Sequence, residues 1–359
     1  MNFTSDNTSA VPQAVLDALA AANDAPAAPY GADPLSLAVA DRLRTLFEAP
    51  EAAVYLVGTG TAANALILAT LGQPWEAVFC AHAAHVEDDE CGAPEFYTGG
   101  AKLTLVEAPH GKMTPGALHA AIAATGARGV HGVQRGPVSI TQPTEMGTTH
   151  TLDELRALTD VARGFGCKVH LDGARFANAL VRLGCAPAEM TWKAGVDAVA
   201  FGGTKNGLMG VEAAIFFDPA AAWEFELRRK RGAHLFSKHR YLAAQMAAYL
   251  DGDLWRDLAT RANAAADRLA AGLAAVPGAK IAAPVGANTV FVRLPRAVHR
   301  RLQDAGAHYY LWGDTLAGDD PSAPLLGRLV CAWNTDLAEV DAFVAAAHRA
   351  AAIAAPAAP

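Results

Sequence analysis

The sequence predicts an α/β fold in which a mostly parallel sheet is followed by a smaller α+β region. Short apolar runs alternate with helical patterns from about residue 54 to Lys205, and strands that alternate with helices form parallel sheets. The length of 359 residues is enough for two domains. We expect an N-terminal segment at 1–30, a large domain at 31–245 and a small C-terminal domain at 246–359.

Apolar runs of strand length predict the sheet of the large domain. They are short, rich in valine, leucine, isoleucine or phenylalanine, and end at glycine, proline or polar residues, which is typical of buried strands. The predicted strands are 54–57, 78–80, 102–106, 138–141, 169–172, 196–201 and 211–217. The last of them stops just before a proline, and we expect it to return antiparallel to its neighbour.

Helical patterns separate these strands and continue into the small domain. Thr151 and Glu154 form a capping-box pattern at the start of an amphipathic helix that ends near Phe165. Other helices are predicted from Pro12 and Pro34, and at 62–71, 115–124, 237–250 and 254–273. The small domain is predicted to contain strands 288–294, 308–312 and 326–333 and helices 297–305 and 337–352.

Composition and charge exclude several classes of protein. The hydrophobic fraction of 52% is typical of a folded chain and not of a disordered one. The net charge of −7 argues against general affinity for nucleic acids. The five cysteines form no CxxC pair, and no stretch of membrane-spanning length lacks charge. We therefore expect a cytoplasmic protein with no nucleic-acid or membrane partner.

Two strand ends carry the most informative residues. One apolar run ends at Asp172, and a second ends in two glycines shortly before Lys205. Ligands of open α/β sheets bind beyond the carboxyl ends of the strands, and partial desolvation makes a lysine amine nucleophilic. Alone, such an aspartate can cap a helix and such a lysine can be solvated. Together they favour pyridoxal phosphate, which needs an acid at its pyridinium nitrogen and a lysine for its Schiff base.

The turn from Gly58 to Thr61 predicts a site for a phosphate. It lies between a strand and a helix, where free amides and the helix dipole attract anions. The spacing matches neither a Walker loop nor a dinucleotide fingerprint, and the alternative is a simple tight turn. With Lys205 available nearby in the fold, we favour the phosphate.

The segment from His82 to Glu90 is rich in histidine and acidic residues. Its spacing fits no common zinc motif, and no third histidine follows nearby, so we expect no metal. His85 follows its strand at a distance from which it can stack on a planar cofactor ring or transfer protons. His82 is closer to the strand and is expected to serve the turn.

Two basic features have more than one interpretation. The run Arg228–Arg231 is either a solvated helix face or a set of side chains that reaches a phosphate, in this subunit or a neighbouring one. Arg328 interrupts an apolar strand. It is either a surface residue or the bidentate clamp of a substrate carboxylate at the domain cleft.

Several segments follow one another in an order that is seen in one enzyme family. They are Ser5-Asp6, Tyr30-Gly31, Gly60-Thr61, Ala84-His85, Glu90-Cys-Gly-Ala93, Asp172-Gly-Ala-Arg175 and Thr204-Lys205. In these segments the chain resembles the low-specificity L-threonine aldolases, especially the Pseudomonas-type branch that includes phenylserine aldolase. The likeness extends from about residue 3 to about residue 345. The Asp-Gly-Ala-Arg and Thr-Lys pieces are specific in combination, whereas Gly-Thr alone is not.

The resemblance implies a fold, a cofactor and an assembly. The fold is aspartate-aminotransferase-like (fold type I), with a mostly parallel seven-stranded sheet in the large domain and a small α+β C-terminal domain. The cofactor is pyridoxal 5'-phosphate, and the expected assembly is a homotetramer, a dimer of dimers with active sites at subunit interfaces. A small amino acid is the implied substrate.

The resemblance also implies roles for individual residues. Lys205 would bind the cofactor covalently, Asp172 would hold the ring nitrogen, Arg175 would contact the phenolic oxygen and the substrate, and His85 would stack on the ring. The other implied cofactor-binding residues are Gly60, Thr61 and Thr204, with Lys230 and Lys238 reaching the phosphate from a partner subunit. Ser5 and Arg328 would hold the substrate carboxylate, and Tyr30 would help to close the site.

Two positions depart from the family pattern. Many members carry a histidine after the strand that ends here at Thr141, and it is linked to handling the substrate hydroxyl; the nearest position in this chain is Glu145. An arginine that is usual in the basic helix is replaced by Ser237-Lys238. Arginine and lysine bind phosphate with different geometry.

The implied reaction is a retro-aldol cleavage of L-threonine, L-allo-threonine and other L-β-hydroxy-α-amino acids, with phenylserine as a candidate, to glycine and an aldehyde. Lys205, His85, Asp172 and Glu145 are the expected catalytic residues. The base for the β-hydroxyl is His85, Glu145 or a bound water, and the sequence leaves all three open. An aminotransferase or a β-eliminating lyase would share Asp172 and Lys205, and a binding protein without cofactor is a further alternative.

Overall fold

The computed structural model describes residues 1–354, so the last five residues of the predicted C-terminal domain lie outside the described residues. Its strands, in chain order, are β1 (Ala53–Val57), β2 (Glu76–Ala81), β3 (Lys102–Val106), β4 (Gln134–Thr141), β5 (Val169–Gly173), β6 (Ala198–Gly202), β7 (Glu212–Phe216), β8 (Lys280–Ile281), β9 (Thr289–Pro295), β10 (Tyr310–Leu311) and β11 (Pro324–Val330). All seven strands predicted for the large domain are present.

Helices lie between and after these strands. They are α1 (Gln13–Ala21), α2 (Pro34–Leu46), α3 (Gly60–Leu71), α4 (His85–Asp88), α5 (Ala93–Thr98), α6 (Pro115–Ala124), α7 (Leu152–Gly164), α8 (Phe176–Leu183), α9 (Ala222–Arg231), α10 (Arg240–Leu250), α11 (Leu254–Ala274), α12 (Arg296–Asp304) and α13 (Leu337–Ala354). The capping box predicted at Thr151 and Glu154 is formed.

The main sheet has seven strands in the order β1-β7-β6-β5-β4-β2-β3. Strands β2 to β6 pair parallel, and β7 runs antiparallel to both β6 and β1. Strands β1 to β6 therefore all point the same way, and their carboxyl ends meet at one edge of the sheet. The prediction that 211–217 returns antiparallel is confirmed.

A second, four-stranded sheet has the order β10-β11-β9-β8 and is antiparallel throughout. It packs with α12 and α13 around its own hydrophobic cluster. Helix α11 belongs to both regions, because Leu258 lies in the main core whereas Leu269 and Leu273 lie in the second cluster. The predicted small α+β region is thus present.

Some element boundaries differ from the sequence prediction. The helix expected from Ser237 begins at Arg240, because the Ser237 carbonyl accepts a hydrogen bond from the Tyr30 amide at 3.1 Å instead of starting the helix. The strand expected at 308–312 is only two residues long, and the strand expected to reach Trp333 ends at Val330. Helices α4 and α5 are too short for a periodic pattern to predict.

The N-terminal segment is anchored in the second cluster. Phe3 is fully buried there, its amide donates to the His308 carbonyl at 2.8 Å, and its carbonyl accepts from the Val330 amide at 2.9 Å. The chain then continues through Asp6 towards the edge of the main sheet. Within residues 1–354, no helix combines the length and the apolar character needed to cross a membrane.

Candidate active site

The carboxyl edge of the main sheet gathers most of the residues that the sequence singled out. Asp172 is the last but one residue of β5, and Lys205 follows the end of β6 by three residues. His85 follows β2 and Glu145 follows β4. Because β1 to β6 point the same way, the loops after them open onto one site.

The loop that carries Lys205 is tightly packed. Asn206 donates to the Tyr249 hydroxyl at 2.7 Å and to the Trp255 carbonyl at 2.8 Å, and a Cβ on Gly203 would lie 2.6 Å from the Leu208 side chain. Lys205 itself is only partly exposed. Its position after β6 is therefore fixed by side chains on both sides.

The charge of Lys205 reaches three titratable groups across the site. It contributes to lowering the pKa of Asp6, His85 and Glu212, in each case beside the larger effect of burial. These groups belong to the N-terminal segment, α4 and β7. The lysine charge therefore acts on groups from three separate elements that surround the site.

Glu212 supports the lysine loop from β7. Its Oε2 accepts a hydrogen bond from the Gly203 amide at 2.6 Å. Burial raises the pKa of Glu212 to about 7, although Thr204, Gly203 and Lys205 act in the opposite direction. The Glu212 carboxyl group, which holds the lysine loop, therefore titrates near neutral pH.

We predict that the Glu212→Gln variant gains stability relative to the wild type as pH rises. The folded-state pKa of Glu212 lies above the ordinary 4.5, so its contribution to the free energy of unfolding is fully present at low pH. This contribution is lost as pH rises through about 7, and the loss is about 2–3 kcal/mol between about pH 5 and about pH 8. Thermal unfolding midpoints of both proteins across this range measure the effect. A difference that stays constant with pH would contradict it.

Asp172 is buried and held in one rotamer. Its Oδ1 accepts from the Ala174 amide and its Oδ2 from the Asn64 Nδ2 group, both at 3.0 Å. Asn64 lies in α3, which is otherwise apolar and buried on nearly all sides. The two donors fix the direction of the Asp172 carboxyl group.

His85 is held by Glu90. The His85 Nδ1 lies 2.8 Å from Glu90 Oε1, and the Glu90 side chain is fully buried. Burial lowers the pKa of His85, but the hydrogen bond to Glu90 and the charges of Asp172 and Glu145 leave it raised. Burial also raises the pKa of Glu90, and Asp172 adds to this. The raised pKa values of His85 and Glu90 both favour a state in which a proton is retained between the two side chains.

Arg175 is anchored by Asp6, a residue for which the sequence predicted no role. Its Nε and Nη2 donate to the two oxygens of Asp6 at 2.6 and 2.9 Å, and Asn288 donates to Asp6 at 3.0 Å. Burial disfavours ionised Asp6, but Arg175 holds its pKa below the ordinary value. Ser5 lies beside this pair and accepts from the Asn7 amide. The role predicted for Arg175 remains a prediction.

Arg328 lies at the small-domain side of the site, in β11. Its guanidinium is 5.4 Å from the centre of the Trp312 ring, and its Nε is buried without a hydrogen-bond partner. Burial lowers its pKa, and the charge of Arg175 adds to this, whereas Glu145 and Asp6 oppose it. No ion pair to Arg328 occurs within residues 1–354. A half-buried arginine that has no acidic partner is suited to an incoming anion.

The predicted phosphate turn leads into α3 as expected. The Thr59 hydroxyl accepts from the Ala62 amide at 3.1 Å and caps the helix. The amides of Gly60 and Thr61 have no partner inside the helix, and a Cβ added to Gly60 would meet nothing within 4 Å. The start of α3 thus has amides without a helix partner, and the space beside Gly60 is open.

Tyr30, Lys230 and Lys238 lie together on an exposed surface. The Lys230 Nζ is 4.9 Å from the centre of the Tyr30 ring, and the Tyr30 amide binds the carbonyl of Ser237, next to Lys238. His82 is exposed as well. Across the part of the chain that the structure describes, no three His, Cys, Asp or Glu side chains are arranged to hold a metal ion.

Comparison with known proteins agrees with this geometry. The model of the β-eliminating lyase family matches residues 2–297. A low specificity L-threonine aldolase of Pseudomonas aeruginosa is 40% identical over 338 residues, which cover 94% of each chain. Another, from a Pseudomonas species, is 38% identical over 96% of each chain.

A solved structure gives the same result for the fold. The threonine aldolase of Leishmania major is 28% identical, with a TM-score of 0.89 over 99% of both chains. The aspartate-aminotransferase-like architecture, fold type I, is thereby confirmed, as is the resemblance found in the sequence. The chain belongs to the β-eliminating lyase family and to the low specificity L-threonine aldolases.

Proposed function

We propose that this protein cleaves L-threonine and other L-β-hydroxy-α-amino acids between Cα and Cβ, giving glycine and an aldehyde, with pyridoxal 5'-phosphate as its cofactor. The observation that carries the proposal is the convergence of Lys205, Asp172 and His85 at the carboxyl edge of one sheet. The names of the two Pseudomonas relatives and of the Leishmania structure agree with it.

The side chains at this edge fit each polar group of the cofactor. The free amides beside Gly60 and Thr61 suit its phosphate, ionised Asp172 suits a protonated ring nitrogen, and the Lys205 amine suits the aldehyde carbon. When bound, the cofactor supplies an electron sink for the bond that breaks at Cα. The neighbouring Thr204 supports the lysine through the contact with Glu212.

The proposed roles of the walls follow from how each is held. Asp172, fixed by Ala174 and Asn64, keeps a proton at the ring nitrogen. His85, held by Glu90, covers one face of the ring. Arg175 uses two nitrogens on Asp6 and turns the rest of its guanidinium to the cofactor and the substrate.

Substrate binding is assigned to Arg328 and Ser5, which hold the carboxylate. For the β-hydroxyl proton we propose His85 and Glu145. The Glu145 side chain has no hydrogen bond to residues 1–354, and its charge contributes to the raised pKa of His85. We assign the exchange of a proton with the hydroxyl oxygen to these two groups.

We infer that the assembly is a homotetramer in which each site takes residues from two subunits. Lys230 and Lys238 would reach the phosphate in the partner subunit, and Tyr30 would help to close that site. Their shared exposed surface supports this assignment.

Two further proposals concern the chain as a whole. We propose the cytoplasm as its location, because the five cysteines are scattered and form no disulfide. We also propose the division into 1–30, 31–245 and 246–359. The second hydrophobic cluster supports a separate C-terminal unit, because apart from Phe3 its buried members lie at Ala265 or beyond it. The buried residues from Met246 to Ala259 pack in the main core and connect the two units.

The test is the release of aldehyde and glycine by the purified protein supplied with pyridoxal 5'-phosphate. Release is expected from L-threonine and L-phenylserine but not from D-threonine. If the protein formed pyruvate from L-serine and released no aldehyde, it would be a β-eliminating lyase and not an aldolase. A requirement for a keto acid would replace it by an aminotransferase.

A further inference from the structure

Asn64 and Glu90 lie behind the proposed cofactor site and connect its two walls. Their exposed fractions are 2% and 3%. The Asn64 Nδ2 group donates to Asp172 Oδ2 at 3.0 Å and to Glu90 Oε1 at 2.9 Å. The same Glu90 oxygen lies 2.8 Å from His85 Nδ1. One hydrogen-bonded chain therefore runs from His85 through Glu90 and Asn64 to Asp172.

The orientation of the Asn64 amide follows from these partners. If the amide were reversed, its oxygen would face two carboxyl groups. In the observed orientation both N–H groups are used, while Asn64 Oδ1 and Glu90 Oε2 are buried without partners. Such unpaired atoms are costly. An asparagine inside an apolar helix is therefore best explained by what its two donors hold.

We propose that Asn64 and Glu90 are positioning residues that couple the His85 wall to the Asp172 wall. Asn64 fixes the rotamer of Asp172, because its Nδ2 group donates directly to Asp172 Oδ2. Glu90 fixes the His85 ring and shares a proton with it. The inference rests on the proposed function only in requiring a bound cofactor between these walls.

The first experiment compares Asn64→Ser with Asn178→Ser as a matched control. Asn178 lies in α8 and is also 2% exposed. Its Nδ2 group donates to Asn263 Oδ1 at 3.1 Å. The dissociation constant of pyridoxal 5'-phosphate, measured from the absorbance of the bound cofactor, is expected to rise about tenfold or more in Asn64→Ser. With L-threonine, kcat is expected to fall while KM changes little.

The control separates this effect from general destabilisation. Asn178→Ser is expected to lower the thermal unfolding midpoint by a similar amount but to leave cofactor affinity and kcat unchanged. Equal behaviour of the two variants would overturn the inference. A wild-type protein that binds no cofactor would overturn the proposed function, whereas tight binding without aldehyde release would affect only the choice of reaction.

The second experiment is a double-mutant cycle with Glu90→Gln, which keeps an acceptor for Asn64 but removes the charge beside His85. Alone, it is expected to raise the cofactor dissociation constant by at least about threefold. In the Asn64→Ser background its effect is expected to be smaller, because the link is already broken. Equal effects in both backgrounds would overturn the coupling. If Asn64→Ser does not fold, Glu90→Gln decides alone, and an unchanged dissociation constant overturns the inference.

Discussion

Lys205→Ala is expected to reduce aldehyde release from L-threonine by about 10³-fold or more, because the variant loses both the covalent anchor of the cofactor and a proton-transferring amine at the reaction centre. The lysine lies three residues beyond β6 on a packed loop, and no other lysine is adjacent to it in the sequence. Steady-state kinetics with L-threonine measure the loss. Borohydride reduction followed by peptide mass analysis shows which lysine carries the cofactor.

Lys168→Ala is the matched control for this variant. Lys168 precedes β5 at the opposite edge of the sheet and forms a half-exposed ion pair with Asp197 at 2.9 Å. Exposed ion pairs of this kind contribute little to stability. Because Lys168 also lies at the opposite edge of the sheet, activity is expected to stay close to that of the wild type. If Lys205→Ala kept its activity, or if the reduced cofactor were found on another lysine, the assigned site would be wrong.

Arg328→Ala is expected to raise KM for L-threonine by about 10²-fold, because removing one partner of a buried charge pair costs about 2–5 kcal/mol. Arg328→Lys is expected to fall between the alanine variant and the wild type, since an ammonium lacks the planar pair of donors that fits a carboxylate. Cofactor affinity is expected to change little. The measurements are KM for L-threonine and the dissociation constant of the cofactor.

Arg293→Ala provides the comparison for Arg328. Arg293 lies in β9 of the same sheet, opposite Leu326, but its side chain is exposed. Its removal is expected to leave KM unchanged. If KM for L-threonine were the same in Arg328→Ala as in the wild type, the substrate carboxylate would have to bind elsewhere.

The predicted residues that the structure brings to one edge of the sheet share one property. Asp172, Lys205 and Gly60 all lie at the end of a short apolar run or within three residues of it, so strand direction alone brings them to one edge. The seven strands of the main sheet were predictable for the same reason, because buried parallel strands are continuous apolar runs. Helix starts such as Arg240 were less predictable, since a distant amide, that of Tyr30, takes the carbonyl that would begin the helix.

The site residues that were missed depend on distant contacts. Asp6 holds Arg175 across 169 residues of sequence, and no local pattern encodes such a pair. Asn64 did leave a signal, because a polar amide within Ala-Ala-Asn-Ala-Leu-Ile-Leu-Ala is costly to bury without partners. Glu90 belongs to a segment that carries the family resemblance, but its sequence neighbours are exposed acids, and its burial distinguishes it only in the folded chain.

The anchoring of the N-terminal segment sets an order of events during protein synthesis. Phe3 and Asp6 leave the ribosome early, yet the hydrogen-bonding partners of Phe3 include Val330, and those of Asp6 include Asn288. Contacts between residues so far apart in sequence form late, because a long loop must close first. The main sheet can be complete in a nascent chain in which Arg175 still lacks its counter-ion. The N-terminal segment that places Asp6 beside Arg175 therefore depends on contacts from the last strand of the small domain.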